Sequence, residues 1–134
     1  MIFVDTGAWF ALVDATDKYH KQAIAIQGKL LLHPVRWITT NFVIGETYTL
    51  LHRTIGFGTA TRFIRTIRSW ERLDCLTVPY EIELEAEKIL NKYADQPFSY
   101  VDAVSFAVMR QKGIIEAFAF DRHFSIAGFT LSSI

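Results

Sequence analysis

Four carboxylates stand inside apolar stretches where acids are costly. Asp5 ends the run Ile2-Phe3-Val4, and Glu46 lies within Phe42-Val43-Ile44-Gly45-Glu46-Thr47. Asp102 lies within Tyr100-Val101-Asp102-Ala103-Val104, and Asp121 follows Phe118-Ala119-Phe120. Moving one charge out of water costs on the order of several kcal/mol, so such acids need a partner. Clustered acids also raise one another's pKa unless a cation offsets the charge. Hard oxygen donors suit Mg²⁺ or Mn²⁺, since Cys75 is the only cysteine and no histidine stands at a familiar ligand spacing. Such an ion activates water as a nucleophile and stabilises charge developing on a phosphoryl group. Phosphodiester hydrolysis is therefore the natural reaction class.

Each acid except one also has a local reading. Ser99 precedes Asp102 by three residues, the spacing of a capping box, and a capping role is compatible with metal binding. Asp121 suits a turn before Arg122-His123, and Asp5 suits a helix cap. Glu46 has no such role, because a glutamate beside Phe42, Val43 and Leu50 serves neither capping nor packing. The tripeptide Asp5-Thr6-Gly7 matches the aspartic-protease signature, but it is followed by Ala8-Trp9-Phe10-Ala11-Leu12-Val13 in a largely helical chain. Aspartic proteases are built almost wholly from strands, so this match carries little weight.

The elements that must position these acids alternate between strand and helix. Ile2-Phe3-Val4, Trp37-Ile38-Thr39, Leu76-Thr77-Val78, Ala117 to Phe120 and, more weakly, Thr130 to Ser133 read as strands. Thr6 is placed to cap a helix from about Gly7, and Asp17 a second one with Ala23 and Ile24 inward. Thr40 or Asn41 caps a third, through about Arg53 and ended by Gly56. A basic amphipathic helix spans roughly Thr59 to Arg72. Tyr80 to Tyr93 carries the stripe Ile82, Ala86, Ile89, Leu90 and Tyr93. Ser99 opens a further helix that stops at Lys112-Gly113.

Short apolar strands alternating with helices predict an α/β fold, a parallel sheet covered on both faces. In such a sheet Asp5 and Asp121 share the carboxyl edge, where ligands of open α/β sheets bind. The helix leading into the Ala117 strand runs antiparallel to it, so Asp102 starts at that edge too. Glu46 lies about 7 Å along its helix at ~1.5 Å per residue, but its long side chain leans toward the helix start.

The bulk numbers bound the answer. A chain of 134 residues, half of them hydrophobic, forms one domain, residues 1–134, with a real core. Lysine plus arginine equals aspartate plus glutamate, 14 against 14, so any nucleic-acid partner must be drawn by a local patch. Low net charge with many apolar residues points to surface covered by a partner or a second copy. A lone cysteine fits a reducing cytoplasm, and neither a signal peptide nor a membrane span is expected.

The segments VDTGAWFALVD with DKYHKQA, TTNFVIGETYTLL, FSYVDAVSFAVM and FAFDRHFSIAGF, together covering the length of the chain, resemble the PIN-domain nucleases. Within that family they resemble the VapC-like toxins of type II toxin–antitoxin modules. The resemblance implies a three-layer α/β/α sandwich with a central sheet of four to five strands, order 3-2-1-4-5. It implies a Mg²⁺- or Mn²⁺-dependent endoribonuclease bound through Asp5, Glu46, Asp102 and Asp121, with Thr6, Asn41 and Ser99 in support. It also implies an antitoxin covering apolar surface near the early helices and delivering a cationic group toward the acids, and a homodimer. One departure is Val101, where relatives often carry a threonine beside the third acid.

RNA contact requires positive groups. Arg62, Arg65, Arg68 and Arg72 recur at helical spacing opposite Phe63, Ile64, Ile67 and Trp70. They read equally as a phosphate-binding stripe or as an ordinary solvated helix face. Arg122 and His123 are placed to touch RNA beside Asp121. His20, His33 and His52 are expected to be structural or exposed, and Trp9, Phe10, Phe106 and Met109 to be core or interface. A non-catalytic PIN-like protein that binds RNA or a partner is the alternative, and retention of all four acids speaks against it.

Overall fold

A computed structural model describes residues Met1–Ile134. Its strands are β1 (Ile2–Val4), β2 (Trp37–Thr40), β3 (Leu73–Leu76), β4 (Glu116–Phe118) and β5 (Thr130–Leu131). Its helices are α1 (Thr6–Val13), α2 (His20–Leu31), α3 (Asn41–Thr54), α4 (Phe57–Arg68), α5 (Tyr80–Lys92), α6 (Tyr100–Lys112) and α7 (His123–Ile126). All strand pairs are parallel, in the order β3-β2-β1-β4-β5. Ile2 is level with Trp37 and Glu116, and Trp37 with Leu73, so the strands β1 to β4 start at one edge and end at the other. Right-handed crossovers then put α1 to α4 on one face and α5 to α7 on the opposite face.

Short strands suffice because they are buried on both sides. Phe3, Val4, Ile38 and Phe118 are almost fully buried, with Trp37, Phe106 and Phe124 filling the space beside them. Helix α6 is buried from Asp102 to Met109, sandwiched between the sheet and α5. Its ends are well marked. Ser99 and Asp102 form a reciprocal capping box, and Gly113 closes the helix at φ 66°, a conformation glycine adopts without strain.

Strand β4 ends at Phe118 rather than Phe120 and β5 at Leu131 rather than Ser133, and four further elements depart from the sequence expectations. Strand β3 lies at Leu73–Leu76 rather than Leu76-Thr77-Val78. Asp74 breaks the apolar run, but β3 is an edge strand and Asp74 pairs with Arg36, its diagonal neighbour at the start of β2, where both side chains are solvent-exposed. The Val78 amide leaves the ladder and donates to the Asn41 side chain at 2.9 Å. Helix α4 ends at Arg68 rather than near Arg72. Helix α2 starts only at His20, because Asp17 binds the Tyr19 amide in a turn at 2.9 Å. Its inward face is accordingly Ala23, Ile26 and Leu30, and Ile24 is exposed. Thr6 is the first residue of α1 and not its cap; Asp5 holds the cap position with its backbone carbonyl, which accepts from Ala8 and Trp9.

Candidate metal centre

The four acids reach the carboxyl edge of the sheet from four elements. Asp5 follows β1, and its backbone amide donates to the Phe118 carbonyl, tying it to the end of β4. Glu46 projects from α3, Asp102 lies in the first turn of α6, and Asp121 stands between β4 and α7. Asp5 and Asp102 are buried, whereas Glu46 and Asp121 are exposed. Asp5 is the N-cap residue of α1, as expected, but it caps through its backbone carbonyl and its carboxylate makes no capping bond, so the cap does not account for the acid. Burial above all, with the Thr6 amide opposing it and the charges of Asp102, Glu46 and Asp121 adding to it, brings its pKa up to about 7. Asp5 thus feels the charge of all three other acids, while the side chains within ligand distance of one another are those of Asp102, Asp121 and His123.

Asp102 and Asp121 are tied together by a third group. Oδ2 of Asp102 accepts from the Ser99 amide at 3.0 Å and lies 2.8 Å from Nδ1 of His123. The same Nδ1 is 3.3 Å from Oδ2 of Asp121, whose Oδ1 accepts from the His123 amide at 2.9 Å. Potential ligand atoms of Asp102, Asp121 and His123 lie within 4.8 Å of one another. The local readings of Asp102 as a capping residue and Asp121 as a turn residue therefore hold alongside their place in the cluster. Sequence reasoning saw no histidine at ligand spacing and placed His123 toward RNA. The overlooked signal is Asp121-x-His123 at the strand end, where a two-residue turn carries the ring back to the acid.

The donor set fits a hard divalent cation. Glu46 and the remaining Asp102 oxygen have no hydrogen-bond partner, and Asp5 has only the neighbouring Thr6 amide. Beside Asp5, the buried hydroxyl Oγ1 of Thr6 lacks any partner in the protein. Orphaned buried polar atoms are rare, and oxygen-rich surroundings with an unsatisfied hydroxyl suit a hydrated Mg²⁺ or Mn²⁺. A cleft of roughly 750 Å³ runs out from there, lined by Thr6, Phe42, Glu46, Val101 and, farther along α3, Arg53. Asn41 borders it, but its carboxamide oxygen is taken by Val78, so it holds the α3 start against the β3–α5 connection. Ser99 acts on Asp102 directly, through the capping box.

The basic residues lie differently. Arg62, Arg65 and Arg68 are exposed on α4. Arg72 is not part of that helix, which corrects the expected stripe. Its guanidinium donates to the backbone carbonyls of Leu31, His33 and Val35, closing the connection ahead of β2. It precedes β3, so it sits at the sheet edge opposite the acids, about 13 Å away along a four-residue strand at ~3.3 Å per residue. Arg122 is exposed beside Asp121. His20 binds the Ala11 carbonyl at 2.7 Å through Nδ1, and His52 stacks on Tyr48.

Comparison with known proteins follows this geometry. Residues 2–129 match the PIN domain. Two curated relatives, both described as 23S rRNA-specific endonuclease VapC20, come from Mycobacterium tuberculosis strains CDC 1551 / Oshkosh and ATCC 25618 / H37Rv. Each is 42% identical over 129 residues, spanning 96% of this chain and 95% of the relative. The crystal structure of Mycobacterium tuberculosis VapC20, described as a sarcin-ricin loop cleaving toxin, superposes with a TM-score of 0.90 at 40% identity, covering 97% of each chain.

Proposed function

The chain belongs to the PIN-domain family, and from that premise we propose that it is an endoribonuclease toxin that hydrolyses a phosphodiester bond of RNA with a divalent cation. The observation that carries this reading is the meeting of Asp102, Asp121 and His123 within 4.8 Å, at the edge where the buried Asp5 carboxylate, its pKa raised to about 7, feels the charges of Asp102, Glu46 and Asp121. Without a cation such crowding serves no folding purpose, because it destabilises the ionised state. Asp5, Glu46, Asp102 and Asp121 would hold Mg²⁺ or Mn²⁺. When bound, the cation would activate water and offset charge on the phosphate.

The chain's own groups do the rest. Ser99 fixes Asp102 through its backbone and hydroxyl, so one acid oxygen is held while the other stays available. Asp5, whose raised pKa keeps part of it protonated near neutral pH, would hold the cation as the carboxylate, releasing that proton. The cleft along α3 gives a nucleotide chain an approach bordered by Phe42 and Val101, with Arg53 as the cationic group farther along. Thr6 lines the cleft, and its hydroxyl is buried without a partner beneath it.

The relatives' descriptions favour large-subunit ribosomal RNA, at the sarcin-ricin loop, as the substrate of this chain as well. They also favour a cognate antitoxin as partner. A hollow of roughly 800 Å³ between α1, α2 and α4, bordered by Trp9, Val13, Ile55 and Phe63, suits its apolar segment. A cytoplasmic location, a single domain over 1–134 and a homodimer complete the reading. No helix is long and apolar enough to cross a membrane.

The test is incubation of purified protein with ribosomes and with isolated ribosomal RNA, in Mg²⁺ or Mn²⁺. A single cut in the large-subunit RNA, abolished by chelator and by Asp5→Asn or Asp102→Asn in folded protein, is expected. Cleavage that persists in both variants would overturn the assignment. RNA binding without cleavage in the wild-type chain would instead establish the non-catalytic alternative.

A further inference from the structure

His123 is the one group in the centre whose role the acids alone do not explain. Its ring is held from three sides. Nδ1 lies 2.8 Å from Oδ2 of Asp102 and 3.3 Å from Oδ2 of Asp121, and the ring meets the edge of Phe98 at 5.2 Å and 65°. Its backbone amide binds the other oxygen of Asp121. The side chain is only 23% exposed, so the ring belongs to the interior of the site and not to its outer surface.

We infer that His123 is a positioning residue: its Nδ1–H donates to Asp102 and bridges toward Asp121, holding two acids from different elements in one arrangement for the cation. This rests on the metal-centre reading above. Asp102 rides on α6 and Asp121 on the β4–α7 turn, so no backbone bond between them fixes their separation. Two carboxylates this close repel unless a donor stands between them. Nδ1 is that donor. Donation needs no protonation of the ring beyond one proton on Nδ1, which the neutral tautomer supplies. The oxygen it binds on Asp102 already accepts from Ser99, so the bridge leaves the second Asp102 oxygen free. Groups of this kind behind metal-binding carboxylates are worth typically 10–100-fold in metal affinity.

The donor atom can be tested separately from the ring. In His123→Asn the amide nitrogen takes roughly the place of Nδ1; in His123→Gln it is carried one bond farther, toward Nε2. Mn²⁺ binding is measured by calorimetry on the whole chain, together with thermal unfolding and the nitrogen modulation of the Mn²⁺ spin-echo signal. The expected result is Mn²⁺ affinity about 10–100-fold weaker in His123→Ala and His123→Gln, with His123→Asn restored to within a few-fold of wild type. No directly bound nitrogen should appear in the wild-type signal. Wild-type affinity in a folded His123→Ala or His123→Gln overturns the inference. So does a folded His123→Asn as weak as the other two, or a nitrogen coupling that makes His123 a ligand. Absence of Mn²⁺ binding by wild type would instead overturn the metal-centre reading beneath it.

Discussion

Replacing Asp5 with asparagine should make the metal-free protein more stable at pH 8 while removing its response to cations. The pKa of Asp5 is raised from 3.8 to about 7 by burial and by Asp102, Glu46 and Asp121. The folded state therefore holds a proton on Asp5 between about pH 4 and 7 that the unfolded chain has released. Stability from this group is fully present below the unfolded value and is lost as pH rises through about 7. Three pKa units correspond to a ceiling of about 4 kcal/mol at ~1.4 kcal/mol per unit. Because the neighbouring acids relax and solvate, about 2 kcal/mol is the expected gain of Asp5→Asn at pH 8, shrinking toward zero near pH 4. In urea, with a slope of roughly 2 kcal/mol per molar, that is a midpoint shift of about 1 M.

The cation reverses the order. At a hundred times its dissociation constant, Mn²⁺ should add about 2.7 kcal/mol to the wild type and nothing comparable to Asp5→Asn. Urea unfolding of both proteins at pH 4.5 and 8, with chelator and with Mn²⁺, measures all the terms. An Asp5→Asn variant no more stable than wild type at pH 8 in chelator would refute the reasoning. So would an advantage that does not change with pH, since the electrostatic cost would then lie elsewhere.

Mn²⁺ affinity should rise with pH up to about 7 and flatten above it, because the cation displaces the proton from Asp5; calorimetry at pH 6 in two buffers of different ionisation enthalpy should report release of up to one proton. Arg72→Ala should lower stability by roughly 1–3 kcal/mol, since three backbone carbonyls lose a charged donor, yet leave the RNA affinity of a cleavage-deficient background unchanged in a filter-binding assay. Ser99→Ala should lower stability by about 1 kcal/mol through the lost capping bond and weaken Mn²⁺ binding as well, which urea unfolding and calorimetry would separate. Phe106→Ala, at a fully buried position, should cost about 3–5 kcal/mol in the same unfolding assay.

Periodicity and caps made most of the fold legible. Helix α6 could be read to the residue because both its stop signals are chemical, a Ser-x-x-Asp box and a glycine at positive φ. The parallel sheet followed from short apolar strands between helices, and its strand order from family resemblance. What misled was tertiary. At β3 an edge strand tolerates Asp74, because its charge is solvent-exposed and paired with Arg36 at the start of β2, and the apolar run nearer Pro79 looked more strand-like. Arg72 continued a helical spacing beyond the point where the helix stops, and only the position of the Leu31–Val35 carbonyls reveals its role. His123 was missed as a member of the acid cluster because its partner Asp102 is 21 residues away in sequence.

The local and catalytic readings of Asp102 and Asp121 do not compete, because a carboxylate has two oxygens. At Asp102 one oxygen closes the capping box and meets His123, and the other has no partner. At Asp121 one oxygen closes the turn with the His123 amide while the other lies 3.3 Å from the ring. The local bond fixes the side chain's direction, and that lowers the entropy lost when a cation is bound. Asp5 is the opposite case, with no capping bond and a Thr6 amide that offsets only part of the largest penalty. Two anchored acids and one destabilised acid form an arrangement that a bound cation would relieve. The helix end at α6 contributes to stability and to the site through the same few atoms, so substitutions there should shift both together, whereas those at Asp5 should move them in opposite directions.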